Sequence, residues 1–210
     1  MLFDIHTHTA LSPCSAIPVK DMVSGAKNRG LDGICITDHD TMRVNRHLTE
    51  GVQENGIVVI FGMEYETPEG DFLIFGPFED IDIGLDAPTL LTRVIRQGGV
   101  AVAAHPFRPA RPVADHLLHT GLIRVVESFN GRNRDIDNLK VQKWRKTFSF
   151  NEVGGSDAHT LEELGAYTTR LTIPVHSRQE FIHALTHGYS APEKGVLPSA
   201  YSAESLALNC

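Results

Sequence analysis

The sequence feature that most constrains this chain is a repeated pattern in which an apolar strand ends in a histidine or a carboxylate. The chain opens with a short alternating segment, residues 3–8, that ends in the pair His6 and His8. Four later apolar segments run into similar residues, namely His39, Glu64, His105 and the pair Asp157 and His159. Imidazole and carboxylate groups are common ligands of zinc and other transition metals. The repetition therefore predicts that these side chains meet at one metal site.

Helical and strand patterns alternate along the chain, which predicts parallel β-α-β units. Apolar residues at helical spacing follow Pro18 and Pro88, and Ser177 with Glu180 forms a capping box. Further helices are predicted over 41–55, 112–120 and 134–146. No linker or repeat divides residues 1–190, so we expect one domain there. Residues 191–210 are polar and weakly patterned, and we expect a tail.

Ligands at the ends of many different strands favour a closed β/α barrel over an open sheet. In a barrel all strand ends converge on one mouth. In an open doubly wound sheet, ligands gather at a switch point between two strands. Five contributing strands would be hard to bring together at such a point.

Composition excludes some classes of protein. The chain has 210 residues, with 19 basic and 26 acidic side chains and a formal net charge of −7. This balance argues against long nucleic acid or a membrane surface as a partner, although metal ions can still attract a phosphorylated substrate. The three cysteines predict free thiols in a reducing compartment. No signal segment or apolar run of spanning length is present, so we expect a cytoplasmic protein. The oligomeric state stays open.

The candidate ligands suit more than one ion. Five imidazoles and two carboxylates fit Zn, Mn or Fe, and they exceed what a single ion can use. A glutamate in the middle of such a set can bridge two ions. Paired ions lower the pKa of a shared water and hold the attacking and leaving oxygens of a phosphoryl group. The set therefore predicts hydrolysis of a phosphate ester by a metal-bound hydroxide.

These strand ends resemble the motifs of the PHP family, the polymerase and histidinol phosphatase domain. Five motifs stand in the order of the family, and together they cover about residues 1–190. The matching stretches are Asp4-Ile5-His6-Thr7-His8-Thr9, Thr37-Asp38-His39-Asp40-Thr41, Gly62-Met63-Glu64, Ala104-His105-Pro106-Phe107-Arg108 and Gly155-Ser156-Asp157-Ala158-His159. The stretch 127–132 also resembles the short PHP proteins that are not attached to another domain and are regarded as metal-dependent phosphoesterases. The resemblance implies a distorted (β/α)7 barrel with two or three divalent metal ions.

The resemblance also implies roles for the matching residues. His6, His8, Glu64 and Asp157 would hold the first metal. Glu64 would bridge to a second metal that His105 also holds, while His39 and His159 would hold a third metal or contact the phosphate. The chain departs from some three-metal relatives in two places. Ser12, Cys14 and Ser15 stand where those relatives have a ligand in the first loop, and Asp71 or apolar residues stand where they have another histidine.

Other residues are predicted to act around the ions. Arg108 follows His105 closely and is a candidate phosphate clamp, since a guanidinium offers a planar pair of donors. Arg132 and Arg134 are further candidates for substrate binding. Asp4 and Asp38 are expected to orient ligand imidazoles. His39 or His159 is the predicted proton donor to the leaving oxygen.

The sequence favours a metal-dependent phosphoesterase acting on a small phosphorylated metabolite, and three alternatives stay open. One is a phosphoesterase or nuclease that acts on nucleotides or oligonucleotides. Another is a barrel domain that binds metal without turnover. The third is an amide or C–O hydrolase on a similar barrel. Such hydrolases usually carry a metal-bridging lysine after a middle strand, and no lysine stands at a strand end here.

Overall fold

The strands and helices follow one another in the alternating order that the sequence predicts. The computed structural model describes residues 1–195. The strands are β1 (Leu2–Thr7), β2 (Gly33–Ile36), β3 (Gly51–Val52), β4 (Val58–Phe61), β5 (Met63–Thr67), β6 (Gly70–Phe75), β7 (Val100–Ala103), β8 (Val125–Asn130), β9 (Asn151–Gly155), β10 (Tyr167–Leu171) and β11 (Ser190–Lys194). The helices are α1 (Val19–Asn28), α2 (Ala87–Arg96), α3 (His116–His119), α4 (Asp135–Leu139), α5 (Val141–Arg145) and α6 (Arg178–Thr186).

The described strands form two sheets. One sheet has the order β11-β10-β1-β2-β4-β3, and the other has the order β5-β6-β7-β8-β9. The pairs β1–β2, β2–β4, β7–β8 and β8–β9 are parallel, as β-α-β units require. The strands β5, β6, β10 and β11 pair antiparallel with their neighbours. The fold is therefore mixed α/β.

The predicted seven-stranded barrel is not confirmed. Between the two sheets of the described region, strand pairing is limited to two isolated bridges, Thr7 with Ala158 and His39 with Glu64. The turn at Gly70 sends β6 back antiparallel to β5, and β10 runs antiparallel to β1, so the parallel repeat is interrupted on both sides. Local apolar patterns predict that strands exist, but strand direction depends on how each connection turns.

Both sheets nevertheless enclose one common core. Apolar side chains from eight strands form a single buried cluster, which includes Phe3, Ile5, Cys35, Val58, Ile60, Leu73, Phe75, Val100, Val102, Val125, Val153 and Leu171. Phe181 of α6 is fully buried in this cluster, and its ring centroid lies 5.9 Å from that of Phe3 and 4.9 Å from that of Phe75. Helices α1 and α2 cover a second cluster on the outer face of the strands. Packing against a shared core holds the two sheets together where backbone pairing is sparse.

The helix predicted over residues 41–55 is wrong. The structure has a short 3-10 helix at Arg43–Arg46, and then β3 pairs antiparallel with β4. The turn between these strands contains Asn55-Gly56, where Gly56 has a φ of 86° and its N–H bonds to the carbonyl of Gln53 at 2.9 Å. Asn-Gly is a strong hairpin signal because both residues tolerate positive φ. This turn is incompatible with the helix predicted there.

The helix start predicted at the Ser177 capping box is confirmed, and α2 begins beside Pro88 as predicted. The side chain of Asp86 accepts from the N–H of Thr89 at 2.8 Å where α2 begins. The side chain of Ser177 accepts from the N–H of Glu180 at 3.3 Å where α6 begins. Each bond satisfies an N–H that the first helical turn leaves without a backbone partner.

The predicted tail at 191–210 begins with residues that belong to a strand. β11 pairs with β10 from Ser190 to Lys194, in register with Leu171 to Tyr167. Short polar strands at a sheet edge carry little apolar signal, so the pattern missed this one. Residues 196–210 of the predicted tail lie outside the described residues. Within residues 1–195, no helix has both the length and the apolar character needed to cross a bilayer.

Candidate metal centre

The candidate ligands lie where the two sheets meet. Beside the bridge from Thr7 to Ala158, the N–H of Asp157 bonds to the carbonyl of His6 at 2.8 Å, and the N–H of His8 bonds to the carbonyl of Ala158 at 3.0 Å. Residues 39 and 64 form the other bridge. These backbone contacts bring the beginning of the chain, its middle and residues beyond 150 to one place.

Four buried side chains form the centre of the site. The Nε2 atoms of His6 and His8 lie 3.1 Å apart. The same two atoms lie 3.2 and 3.1 Å from Glu64 Oε2, and 3.5 and 3.2 Å from Asp157 Oδ1. All four residues are at most 1% exposed. Two imidazole nitrogens and two carboxylate oxygens therefore point at one small volume.

Two further groups adjoin this centre and share residues with it. Glu64, Asp71 and His105 place one donor atom each within 4.8 Å of one another, and so do His8, His39 and His159. His105 Nε2 lies 2.8 Å from Glu64 Oε1, whereas His6 and His8 face the other carboxylate oxygen, Oε2. Glu64 is thus placed to connect two cation positions. All seven predicted ligands come together in this way.

Asp71 is a further candidate ligand, which the sequence indicates only as a departure from the PHP pattern. Its Oδ2 lies 3.9 Å from His105 Nε2, and its carboxylate pairs with Arg111, whose Nε lies 2.8 Å from Oδ2. Asp71 begins the apolar strand segment 71–75, and an acid at the start of such a segment was the available sequence signal.

The charges of the centre are strongly coupled. Burial opposes protonation of His6, yet Asp157, Glu127 and Glu64 outweigh burial, so the pKa of His6 lies well above its usual value. Burial likewise disfavours charge on Glu64 and Asp157, but the surrounding cations hold the pKa of both carboxyls well below their usual values. The pocket therefore favours positive charge between its carboxylates.

This donor set fits a divalent cation. Neutral imidazoles and ionised carboxylates are the forms that bind metals, and a cation can take the place of the proton that these carboxylates otherwise hold on His6. Two buried nitrogens, Nδ1 of His39 and Nδ1 of His105, have no hydrogen-bond partner among residues 1–195. Nδ1 of His39 lies 3.4 Å from Glu64 Oε2, so it faces the shared carboxylate. Buried polar atoms normally have partners, and a ligand can supply one.

Glu127 contacts two of the candidate ligands, although no individual role was predicted for it. Its Oε1 lies 2.9 Å from Nδ1 of His6, and its Oε2 accepts from the backbone N–H of His105 at 2.7 Å. The side chain of Asn130 also donates to Oε2 at 3.0 Å. A carboxylate on the remote nitrogen of a ligand imidazole sets its tautomer and orientation. An acid inside the apolar run Val125-Val126 was the signal that could have identified it.

Arg108 reaches the centre as predicted, whereas Arg132 and Arg134 are bound elsewhere. Nη2 of Arg108 lies 2.6 Å from Asp157 Oδ2 and 2.9 Å from Asn130 Oδ1, and 27% of the side chain is exposed. Burial lowers its pKa, but Asp157 raises it more, so the guanidinium stays charged. Arg132 pairs with Glu163 at 3.1 Å, and Arg134 pairs with Asp137 at 2.7 Å.

Asp4 and Asp38 do not contact the imidazoles that they were expected to orient. Asp4 accepts from the N–H groups of Ser156 at 3.0 Å and Gly165 at 2.8 Å, and burial raises its pKa to about 6. The pairing of β1 with β2 shifts register after Asp4. Regular alternation of side chains is interrupted there, so Asp4 and His6 do not share one face of the strand. Asp38 accepts from the hydroxyl of Ser12 at 2.7 Å, and that oxygen lies 3.3 Å from Nδ1 of His8. Asp38 therefore acts on His8 through Ser12.

His159 lies at the edge of the site. Burial lowers its pKa to about 4, and the charges of His8 and Arg132 act in the same direction, against Asp157. Its imidazole is neutral near pH 7, which suits a ligand better than a proton donor. Nε2 of His159 lies 3.1 Å from the Sγ of Cys14, an exposed thiol in the first loop.

Backbone strain is concentrated at the same strand ends. Within residues 1–195, the non-glycine residues with positive φ are Asp40, His105 and Asp157, at 50°, 29° and 56°. Such conformations cost about 1–3 kcal/mol each and persist where the surrounding contacts impose them. Two of the three are candidate ligands, and the third follows His39.

The sequence matches two family descriptions over most of its length. Residues 4–147 match the PHP domain, and residues 135–189 match the segment described as PHP-associated. An uncharacterized protein of Methanocaldococcus jannaschii is 31% identical over 156 residues, which span 68% of this chain and 91% of that protein. A protein of Shewanella sediminis named "Probable phosphatase" is 25% identical over 209 residues, which span 82% of this chain and 84% of that protein.

The fold is also similar to that of a solved structure. A two-domain protein of Bacteroides vulgatus, described as containing a predicted PHP-like metal-dependent phosphoesterase, superposes with a TM-score of 0.71 at 18% identity. The superposition covers 93% of this chain and 65% of that one. At this identity the likeness shows a shared fold.

Proposed function

The chain belongs to the PHP family, and from that premise we propose that it is a metal-dependent phosphoesterase that hydrolyses a small phosphorylated metabolite. The observation that carries the proposal is the arrangement of eight histidines and carboxylates in three adjoining groups, with Glu64 shared by two of them. A guanidinium from Arg108 stands at the same place. Cation ligands beside a fixed arginine are suited to bind a phosphoryl group.

We propose a division of roles among the residues. His6, His8, Glu64 and Asp157 would hold one ion, and Glu64 with His105 and Asp71 would hold a second. His39 and His159 would hold a third ion or face the phosphate. Zinc, manganese and iron all suit imidazole and carboxylate ligands. When bound, such ions lower the pKa of a water and offset negative charge on the phosphoryl oxygens.

The chain's own residues would position the substrate. Arg108 is held by Asn130, Asn133 and Asp157, so its guanidinium is oriented before a ligand arrives. A preoriented cation stabilises developing charge without reorganisation at the moment of reaction. His39 has 27% of its side chain exposed, while His6 and His8 are buried, so His39 is the imidazole that can meet a leaving group. The neutral His159 would remain a ligand.

A small phosphomonoester is favoured over a long nucleic acid by charge. The chain has a net charge of −7, and all three arginines predicted to contact substrate pair with acids, Arg108 with Asp157, Arg132 with Glu163 and Arg134 with Asp137. Nucleic-acid binding usually needs a basic surface that follows many phosphates. The proposed substrate needs only one phosphate site.

The proposal is tested by loading chelator-treated protein separately with Mn, Zn or Fe. Each form is assayed on phosphorylated metabolites, mononucleotides and single-stranded DNA. We expect turnover of small monoesters that depends on metal. The Asp157→Asn variant should lose bound metal and nearly all activity on p-nitrophenyl phosphate, whereas Asp115→Asn, at an exposed position, should keep both.

Three outcomes would contradict the proposal. Full metal content and activity in Asp157→Asn would show that the centre is elsewhere. Cleavage of DNA without turnover of any monoester would favour the nuclease. Stoichiometric metal with no turnover of any ester would favour a non-catalytic metal-binding domain.

A further inference from the structure

A cleft of about 560 Å³ opens beside the metal centre, with walls that differ in chemistry. We propose that it is the leaving-group subsite, and that it selects phosphate esters whose leaving group joins an apolar body to a second anionic group. This inference rests on the proposed function, because it names the class of ester that the same centre would cleave.

The cleft reaches the centre through His39. This residue lines the cleft, its Nδ1 lies 3.4 Å from Glu64 Oε2, and its ring stacks on that of His8 with centroids 4.6 Å apart. Arg108 reaches the centre at a different ligand, Asp157. A phosphoryl group bound between the ions and Arg108 would therefore direct its ester oxygen toward His39 and the cleft.

One wall of the cleft is apolar. The side chains that form it are Leu11, Met42, Met63, Ile81 and Ile83. Met42 and Met63 are 2% exposed, so they form a fixed surface, whereas Ile83 is 52% exposed at the margin. An exposed isoleucine next to buried methionines can cover an aromatic or aliphatic group, and methionine adapts to irregular ligand shapes.

Another part of the lining carries two arginines. Arg43 and Arg46 line the cleft and are exposed. They stand three residues apart on the 3-10 helix, where side chains at this spacing eclipse one another. In the described part of the chain, neither guanidinium forms an ion pair. Two like charges on one side of a helical turn repel each other, and an anion bound between them would relieve that repulsion.

The acidic groups of the cleft do not neutralise the positive charges of these two arginines. Glu79 is bound to Arg178 at 2.9 Å. The side chain of Asp40 accepts from the backbone N–H of Glu66 at 3.1 Å. Asp80 is the remaining acid of the lining. A cationic leaving group would have Asp80 as its main partner, whereas an anionic one would have two arginines.

The test uses three esters that differ only at one end of the leaving group. These probes are 4-carboxyphenyl phosphate, 4-carbamoylphenyl phosphate and 4-(aminomethyl)phenyl phosphate, which carry an anion, a neutral amide of similar shape and a cation. We expect the metal-loaded protein to favour the carboxylate over the amide about fivefold in kcat/KM, in keeping with partly exposed ion pairs. The difference should appear mainly in KM.

The variants assign this preference to the cleft. In the double variant Arg43→Gln/Arg46→Gln, the ratio of carboxylate to amide should fall to about one. The matched control Arg96→Gln replaces an exposed arginine outside the cleft and should keep the ratio. Ile83→Ser should raise KM for all three aryl esters about threefold, since it removes apolar contact.

Each contrary result is distinct. Equal turnover of the carboxylate and the amide, or a ratio that the double variant leaves unchanged, would overturn the subsite and leave the proposed function standing. A preference for the amine would show that Asp80 dominates, and would overturn the proposal as well. Absence of turnover of these three esters by protein that cleaves other monoesters would overturn the subsite alone, whereas absence of turnover of every ester would overturn the proposed function, and the subsite with it.

Discussion

Replacing Glu127 with glutamine tests whether the centre depends on the tautomer of His6. Oε2 of Glu127 receives two donors, the N–H of His105 at 2.7 Å and the amide of Asn130 at 3.0 Å. In Glu127→Gln the amide oxygen should therefore remain at the Oε2 position. The new NH2 group then faces Nδ1 of His6, where a carboxylate oxygen lies 2.9 Å away in the native chain.

This exchange reverses the proton arrangement of the imidazole. A carboxylate only accepts, so it keeps the proton on Nδ1 and leaves Nε2 able to bind a cation. A glutamine NH2 only donates, so it favours a lone pair on Nδ1 and a proton on Nε2. Nε2 is the atom that faces Glu64 Oε2 at 3.2 Å and Asp157 Oδ1 at 3.5 Å. To bind metal through Nε2, His6 of the variant would have to lose the hydrogen bond between its Nδ1 and the glutamine NH2 group.

The expected loss in metal affinity is tenfold to hundredfold, the usual effect of removing a carboxylate behind a ligand histidine. That range corresponds to about 1.4–2.7 kcal/mol of binding free energy. The free energy of unfolding without metal should fall as well, because the protonated imidazole of His6 loses the carboxylate beside its Nδ1. Metal affinity and stability are therefore measured separately.

Competition with a chelating dye measures the Kd for Mn or Zn in both proteins, and urea unfolding in excess chelator measures stability. Glu152→Gln is the matched control, because Glu152 lies on β9 and pairs with Arg145 outside the centre. A Kd within twofold of the native value would refute the tautomer argument. So would an equal loss of affinity in the control.

Two further predictions concern the scaffold of the site. Gly155→Ala would place a Cβ 2.5 Å from Cβ of His6 and 2.7 Å from Oε1 of Glu127. We therefore expect weaker metal binding and a free energy of unfolding in urea that is lower by about 1–3 kcal/mol. Unchanged values would show that the strands can move apart without cost. Phe181→Ala removes a fully buried ring from the core that both sheets share, and it should lower the free energy of unfolding by about 3–5 kcal/mol while leaving the metal Kd of the folded protein within about threefold. A loss below about 1 kcal/mol would mean that α6 does not help to hold the sheets together.

The candidate site was predictable from the sequence because its ligands follow recognisable apolar strands. The structure brings together all seven residues predicted from strand ends, and Asp71 and Arg108 join them. The supporting residues were less accessible. Glu127 and Asp71 lie inside strand segments, and an acid there can equally be half-exposed on one face of a sheet. Only packing shows that both are buried beside the ligands.

The fold was predictable in its elements and less so in its connections. Strand and helix positions follow local periodicity, and caps such as Ser177 mark helix starts. The helix predicted over residues 41–55 is wrong because polar residues give weak periodicity and because Asn55-Gly56 forms the turn of a hairpin. The register shift in β1 after Asp4 also leaves no local trace, since it arises from pairing with another strand.

The sequence by itself determined which side chains can bind a cation and that each stands at the end of an apolar strand, because residue chemistry and local periodicity are properties of the chain. Tertiary structure alone decided that the strands divide into two sheets, that the ligands lie where those sheets meet, and that Glu64 stands between two groups of donors. Strand direction, register and burial depend on contacts between residues far apart in the chain, and no short segment encodes such contacts.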